Sequence, residues 1–303
     1  MRKWFEKPGR WAAVYSFLLT GMFVFTLLDA FMIPRALEKT EAPSLTESAE
    51  KIFPDSAEEA VVTGASYKSE QISIAIETVR RDGTTLYVAD IRLSNIAYLK
   101  TALAQNTYGR NIKATTSAQA EENNAIFAVN GDYYGFRDTG LVVRNGTLYR
   151  DAPRGSGEEQ ALVIDMEGNF SVIKESAFES SILENAWQAF SFGPALMENG
   201  EVTVSVDAEV GKAMASNPRT AVGQVSGLHY IVIVSDGRTE ESEGLSLFQL
   251  AQEFADRGCV TAYNLDGGGS STMYFNGQVV NKPANGRSNE EREVSDIVYI
   301  GKE

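Results

Sequence analysis

The apolar positions of the chain follow two regimes. Near the N-terminus they form one run, Trp11 to Leu28, which continues past Asp29 to Ile33. From about residue 61 they come in short bursts separated by turn residues. Ile72 to Val79 and Leu86 to Leu93 alternate in period two on either side of Asp82-Gly83. Asn145-Gly146, Asn199-Gly200 and Asn276-Gly277 sit between similar segments, and Glu167-Gly168-Asn169 resembles them. Asx-Gly between alternating segments predicts a two-residue hairpin, because both turn positions need positive φ. Helical spacing is rarer. Ser94 reads as the cap of a helix through Ile96, Leu99 and Leu103, and Ser117 to Asn124 as a second. The clearest helix is Leu247 to Arg257, with Ser246 and Gln249 as a capping box, an apolar stripe through Leu250, Ala251 and Phe254, and Gly258 beyond its end. The pattern predicts an α+β fold: a hairpin-rich mixed sheet with a few packed helices, preceded by one transmembrane helix.

The N-terminal run is long enough for a bilayer core, which takes roughly 17 to 25 residues. It exceeds the apolar region of a cleaved signal, and no small-x-small site follows it. With Arg2, Lys3, Lys7 and Arg10 before it, the run reads as an uncleaved signal anchor with a cytoplasmic N-terminus and the remainder outside. Residues 35–60, rich in Glu, Ala, Ser, Thr and Pro, read as a linker or stalk. This divides the chain into a basic flank and anchor (1–34), a stalk (35–60) and one domain (61–303) with ample length for a core.

The formal charge is -14 at pH 7 and the basic cluster lies at the inner end, so the outer domain is acidic. That argues against a nucleic-acid-binding footprint. Cys259 stands alone, which excludes an intramolecular disulfide and a thiolate zinc site. The one histidine, His229, lies inside an apolar strand, so a Ser-His-Asp triad is not expected.

The stretch with most chemistry is Asn264-Leu-Asp-Gly-Gly-Gly-Ser-Ser-Thr272. Asp266 offers an acceptor, Gly267, Gly268 and Gly269 offer backbone amides, and Ser270 and Ser271 offer hydroxyls. The lysine and spacing of a phosphate-cradling P-loop are absent. Three further polar clusters end or interrupt β-like runs: Asn130-Gly-Asp132, Asn217-Pro-Arg219-Thr220 and Ser235-Asp236-Gly-Arg238. Arg287 and Arg292 precede the last strand. Without a usable histidine, acid–base work falls to carboxylates, and hydrolysis at an anomeric carbon can run on two of them. Arginines suit an anionic leaving group such as phosphate.

Several segments together resemble the phosphodiester glycosidase family: Ala128-Val-Asn-Gly-Asp-Tyr-Tyr134, Ser191-Phe-Gly-Pro-Ala-Leu196, Asn217-Pro-Arg-Thr-Ala-Val-Gly223, Val234-Ser-Asp-Gly-Arg238, Asn264-Leu-Asp-Gly-Gly-Gly-Ser-Ser271 and Arg292-Glu-Val-Ser295. They occur in the family's order. Asp132 stands where the family usually has glycine. The resemblance implies cleavage of a glycosyl–phosphate ester without an obligatory organic cofactor, and an association with exopolysaccharide.

The resulting expectation is a membrane-anchored, extracytoplasmic hydrolase of a sugar 1-phosphodiester in a cell-envelope glycan. Asp266 is expected as the essential carboxylate, with Asp236 or Asp132 as partner. Asn130, Arg219, Thr220, Arg238, Arg292, Gly267 to Gly269, Ser270 and Ser271 are expected to hold substrate. The three aspartates could also hold Ca²⁺ or Mg²⁺ through oxygen ligands. The competing readings are a non-catalytic glycan-binding or exopolysaccharide-assembly protein, and a glycosyl transferase using the same cleft.

Overall fold

Each predicted Asx-Gly turn closes a hairpin in the computed structural model, which describes residues 9–38, 60–155, 157–208, 216–285 and 290–301. The Asx residues take φ between 46° and 52° and the glycines between 70° and 87°. Their flanking pairs, Arg81 with Thr84, Arg144 with Thr147, Glu198 with Glu201 and Phe275 with Gln278, lie directly opposite each other. The turn twist matches that of the strands it joins, so the register is fixed locally.

The strands form three larger sheets and a two-stranded ribbon, and every ladder among the described residues is antiparallel. A nine-stranded sheet carries Arg219–Ser226, His229–Ser235 and Thr84–Leu93 at its centre. One five-stranded sheet has Ala125–Asn130 between Met273–Phe275 and Asp296–Gly301. The other five-stranded sheet includes Gly140–Arg144, Ala186–Phe190 and Gln160–Asp165. All three contribute to one core, through Ile91, Val222 and Tyr263 from the first, Phe127 and Val298 from the second, and Leu162 and Phe190 from the third.

The strand His229–Ser235 explains why its sequence is an unbroken apolar run. Tyr230, Val232 and Val234 enter this shared core, while Ile231 and Ile233 enter a second cluster on the other face. Strand residues alternate faces, so a strand buried on both sides needs apolar residues at every position. The second cluster is closed by a helix, Leu247–Asp256, through Leu247, Leu250, Ala251 and Phe254. Its capping box forms as expected, with Ser246 Oγ accepting from Gln249 N and Gln249 Oε1 accepting from Ser246 N. Gly223 has no side chain because the Phe254 ring occupies that space. A shorter helix, Thr116–Glu122, covers the outer face of the sheet built on Ala125–Asn130, in the region expected for it.

The helix expected from Ser94 to Leu103 does not form. Asn95 caps a single 3-10 turn, Ile96–Tyr98, and Leu99–Leu103 is a strand paired with Asp296–Gly301. The Thr101 amide and hydroxyl both donate to Asn145 Oδ1, at 2.8 and 3.2 Å, so tertiary pairing overrides the helical spacing.

The N-terminal run is a 22-residue helix, here called α1 (Arg10–Phe31), with no buried residue. It is long and apolar enough to cross a membrane. Instead of a free stalk, the residues after it pair with the domain: Arg35 and Ala36 oppose Arg110 and Gly109, and Leu37 N donates to Tyr108 O at 2.9 Å. The rest of the expected stalk, residues 39–59, lies outside the described residues, as do Arg2, Lys3, Lys7 and Arg287.

Candidate active site

Three predicted clusters emerge close together: the Arg219 and Asn264 strands are paired in the nine-stranded sheet, and the Asn130 strand reaches them from another sheet through side-chain hydrogen bonds. Asn130 ends its strand opposite Ile297, Arg219 begins its strand opposite Ser235, and Asn264 ends its strand opposite Ala221. Asn130 is fully buried and spends all its hydrogen-bonding capacity on the loops. Its Nδ2 donates to the carbonyls of Asp266 (2.6 Å) and Gly131 (3.3 Å). Its Oδ1 accepts from Thr220 Oγ1 (2.8 Å) and Thr272 N (3.3 Å). Asn130 therefore positions the Asp266 loop with no group left for substrate, and Thr220 spends its hydroxyl proton on Asn130.

The three glycines face three different neighbours, one backbone carbonyl and two guanidinium groups. A Cβ on Gly267 would sit 2.9 Å from Pro218 O, and Gly268 N donates to that same carbonyl at 2.8 Å. At Gly268, where φ is +62°, a Cβ would lie 2.9 Å from Arg238 Nη2. At Gly269 it would lie 2.6 Å from Arg292 Nη2. The backbone is thus packed against two guanidinium groups, which a side chain at Gly268 or Gly269 would push away. Arg238 is steadied by Asn217 Oδ1, which accepts from its Nε and Nη2 at 3.2 and 2.9 Å.

Asp266, Ser270 and Arg292 line one cavity of about 210 Å³ with Gly131, Tyr133, Phe136, Lys113, Glu293, Val294 and Ser295. Burial raises the Asp266 pKa; the Ser270 hydroxyl, then Arg292 and Arg137, pull it back. Ser270 Oγ makes no hydrogen bond of ordinary geometry, yet lies close enough to favour the charged carboxylate. Ser295 Oγ is likewise buried without a protein partner, as are the hydroxyls of Ser271 and Thr272. Folded proteins leave few such groups unpaired, so the Ser270 and Ser295 hydroxyls, which line the cavity, mark a place for ligand or water. Tyr133 and Phe136 stack at 4.5 Å on the rim, and Arg137 packs over the Tyr133 and Phe192 rings. An aromatic face beside fixed cations and hydroxyls suits a sugar joined to an anion.

Both expected partners of Asp266 are elsewhere. Asp132 is buried in an ion cluster: Arg144 Nη2 lies 2.8 Å from both Asp132 Oδ1 and Asp296 Oδ2. Its other oxygen accepts from Ser191 N at 2.9 Å. Asp236 faces a different cavity, of about 750 Å³, beside Tyr87, Glu241 and Lys282. There it accepts from Lys282 N at 2.9 Å and Tyr87 Oη at 3.3 Å. Burial raises the pKa of Asp236, and these two donors oppose the shift; burial, with the Asp236 charge beside it, also pushes Tyr87 up to about 12. Arg219 turns away too: its Nε donates to Leu245 O at 2.9 Å, on the opposite side of its strand from Thr220, and it does not line the Asp266 cavity. Because the three aspartates are separated, they form no shared cage for Ca²⁺ or Mg²⁺, and no other cluster of three acidic, His or Cys residues stands among the described residues. His229 bonds Asp90 Oδ1 at 3.0 Å, remote from both cavities, as its place in the apolar strand suggested.

The second carboxylate lining the Asp266 cavity is Glu293, paired with Lys113 at 3.5 Å. Glu293 and Ser295 lie inside the Arg292-Glu-Val-Ser295 segment, so a signal for them existed. Lys113 and Arg137 carry no local signal and are brought in by the fold.

The chain matches the family model for phosphodiester glycosidase over residues 123–301. It is 28% identical over 201 residues to an uncharacterised SPbeta prophage-derived protein, YomE, of Bacillus subtilis, covering 64% of this chain and 30% of that one. It is 41% identical over 66 residues to mouse N-acetylglucosamine-1-phosphodiester alpha-N-acetylglucosaminidase, 22% of this chain and 13% of the mouse protein. The chain thus spans under a third of the length of either relative. Among solved structures, it superposes on the zebrafish N-acetylglucosamine-1-phosphodiester alpha-N-acetylglucosaminidase catalytic domain, auto-inhibited by its pro-peptide, with a TM-score of 0.60 at 20% identity. That likeness covers 91% of this chain and 99% of the zebrafish one. By the match over residues 123–301, which takes in the glycine loop and most of the cavity, the chain belongs to the phosphodiester glycosidase family.

Proposed function

We propose that this chain hydrolyses a sugar 1-phosphodiester in the Asp266 cavity, between the anomeric carbon and its oxygen. The observation that carries this reading is the placement of Asp266 and Arg292 in one cavity over a backbone stripped of side chains. A phosphate leaves as an anion, so it needs a cation more than a proton donor. Arg292 supplies that charge, with Arg238 behind the loop. The Asp266 carboxylate takes the proton of the attacking water as its oxygen bonds the anomeric carbon and the electron pair of the broken bond passes to the phosphate oxygen. Tyr133 and Phe136 hold the sugar face. The chemistry draws on these side chains and needs no organic cofactor.

We further propose that α1 anchors the chain in a membrane with the domain on the outer side, where a cell-envelope glycan is the available substrate. The helix length and the basic residues before it support this. The test is a panel of sugar 1-phosphodiesters in ¹⁸O-labelled water with the purified chain in detergent. Label is expected in the sugar. Label in the phosphate would mean P–O cleavage; transfer to an added glycan acceptor would mean a transferase; binding without turnover would mean a glycan-binding module.

A further inference from the structure

The joint between α1 and the domain is built, and it abuts the cavity. The last carbonyls of a helix have no intrahelical partner. Here two of them, and one carbonyl just beyond the helix, are met by one side chain of the domain. Asn111 Nδ2 lies 3.4, 3.3 and 3.2 Å from the carbonyls of Asp29, Ala30 and Ile33. Asn111 is 4% exposed and holds φ at +55°. Asp29 and Arg35 form an ion pair across the helix end. Gly109 has no side chain because the Arg35 carbonyl and Ile112 occupy that position.

The same short stretch continues into the cavity. Gly109 and Arg110 pair with the segment after α1, Asn111 caps α1, and Lys113 lines the cavity. From Asn111 to Lys113 the chain spans at most about 7 Å. Asn111 N also donates to Gly135 O at 3.2 Å, between the rim residues Tyr133 and Phe136. A helix of this length is ~33 Å long, close to the ~30 Å hydrocarbon core. With α1 spanning, the cavity edge stands about a headgroup's depth above the hydrocarbon, and Tyr133, 37% exposed, stands where interfacial aromatics collect.

We propose that the substrate is a sugar 1-phosphodiester whose phosphate carries a membrane-embedded lipid, and that the docked helix holds the cavity at the depth of that phosphate. This rests on the hydrolase reading and names the other half of its substrate. A rigid joint restricts reach, which suits a phosphate held at fixed depth and is a hindrance for one on a distant polymer.

The full chain, in phosphatidylcholine–phosphatidylglycerol vesicles, is given two probes: an N-acetylglucosamine 1-phosphodiester carrying a dialkylglycerol, and the same diester carrying a methyl group. Two variants loosen the joint. One has a Gly/Ser insertion of about a dozen residues between Ile33 and Pro34. The other is Asn111→Gly, which keeps the positive φ and removes the capping amide. The expected result is that the chain cleaves the lipid diester, that the insertion slows this about tenfold or more, that Asn111→Gly acts in the same direction, and that methyl diester cleavage is unchanged. An insertion that leaves lipid diester cleavage intact overturns the proposal. So does an equal slowing on both probes, which would mean that the joint merely shapes the cavity, or cleavage of the methyl diester alone, which would point to a soluble substrate. Cleavage of neither probe by the unaltered chain would remove the hydrolase reading itself, and this one with it.

Discussion

At the scale of single residues, the proposed role of Asp266 needs the form that its surroundings disfavour. Burial raises its pKa, so protonation is easier than in the unfolded chain. A carboxyl with a raised folded pKa stabilises the fold fully below its unfolded pKa, and that stability is lost as pH rises through the folded pKa. The proposed chemistry needs the ionised form. Activity should therefore rise with pH over the window in which stability falls. Asp266→Asn should cost about 10²–10⁴-fold in kcat, while melting at a higher temperature than the parent at neutral pH, the gain vanishing in acid. Activity and melting profiles of the two proteins check this, and near-parental turnover in Asp266→Asn would sink the assignment. Gly268→Val should lose substrate binding as well, since it combines a positive φ, strained by about 1–3 kcal/mol for such a residue, with a clash against Arg238. Binding of an uncleaved analogue measures it.

At the scale of elements, the strand Gly140–Arg144 brings Arg144 to the ends of Ala125–Asn130 and Asp296–Gly301. Arg144 there bridges Asp132 and Asp296 in a fully buried cluster that holds one cation for two carboxyls. Burial raises the Asp296 pKa, Arg144 opposes that shift and Asp132 adds to it. Asp296 also lies directly against Gly131, whose missing side chain makes room for it and which lines the cavity. Arg144→Met should cost about 3–5 kcal/mol, because two carboxyls are left buried without a cation. With Arg144 gone the Asp296 carboxyl loses the cation that opposes its upward shift, so the loss should grow with rising pH. Urea titrations at acid and neutral pH read both effects; a pH-independent loss would mean that packing, not charge, dominates.

At the scale of the whole molecule, the fold depends on no covalent cross-link. Cys259 is buried against Gly223 and the Phe254 helix, and burial pushes its thiol up to about 12. Melting temperature should not change between reducing and oxidising buffers, and thiol alkylation should require unfolding; a reductant-dependent shift would reveal intermolecular pairing. Protease added to intact cells expressing the chain should degrade the domain, and protection would reverse the proposed orientation.

The sequence by itself determined the hairpins, the capped helix Leu247–Asp256, the apolar N-terminal helix and the glycine loop. Each depends on neighbours a few residues apart: a positive φ at Asn145, the reciprocal bonds of Ser246 and Gln249, or three adjacent residues without side chains. It also supplied the α+β class, because period-two alternation survives whatever sheet the strands join. Which polar clusters would share a cavity was decided only by tertiary structure. Strand alternation turned Thr220 toward Asn130 and Arg219 toward Leu245, a choice invisible until the pairing partners are known. Asp132 looked reactive as a carboxylate in a turn, and became a buried counter-ion once Arg144, twelve positions on, was folded against it. The helical spacing from Ser94 gave way to a ladder with a strand some two hundred residues later. Lys113 reached the Asp266 cavity through contacts across the fold, beside Glu293, and local sequence carries no energy term for those contacts.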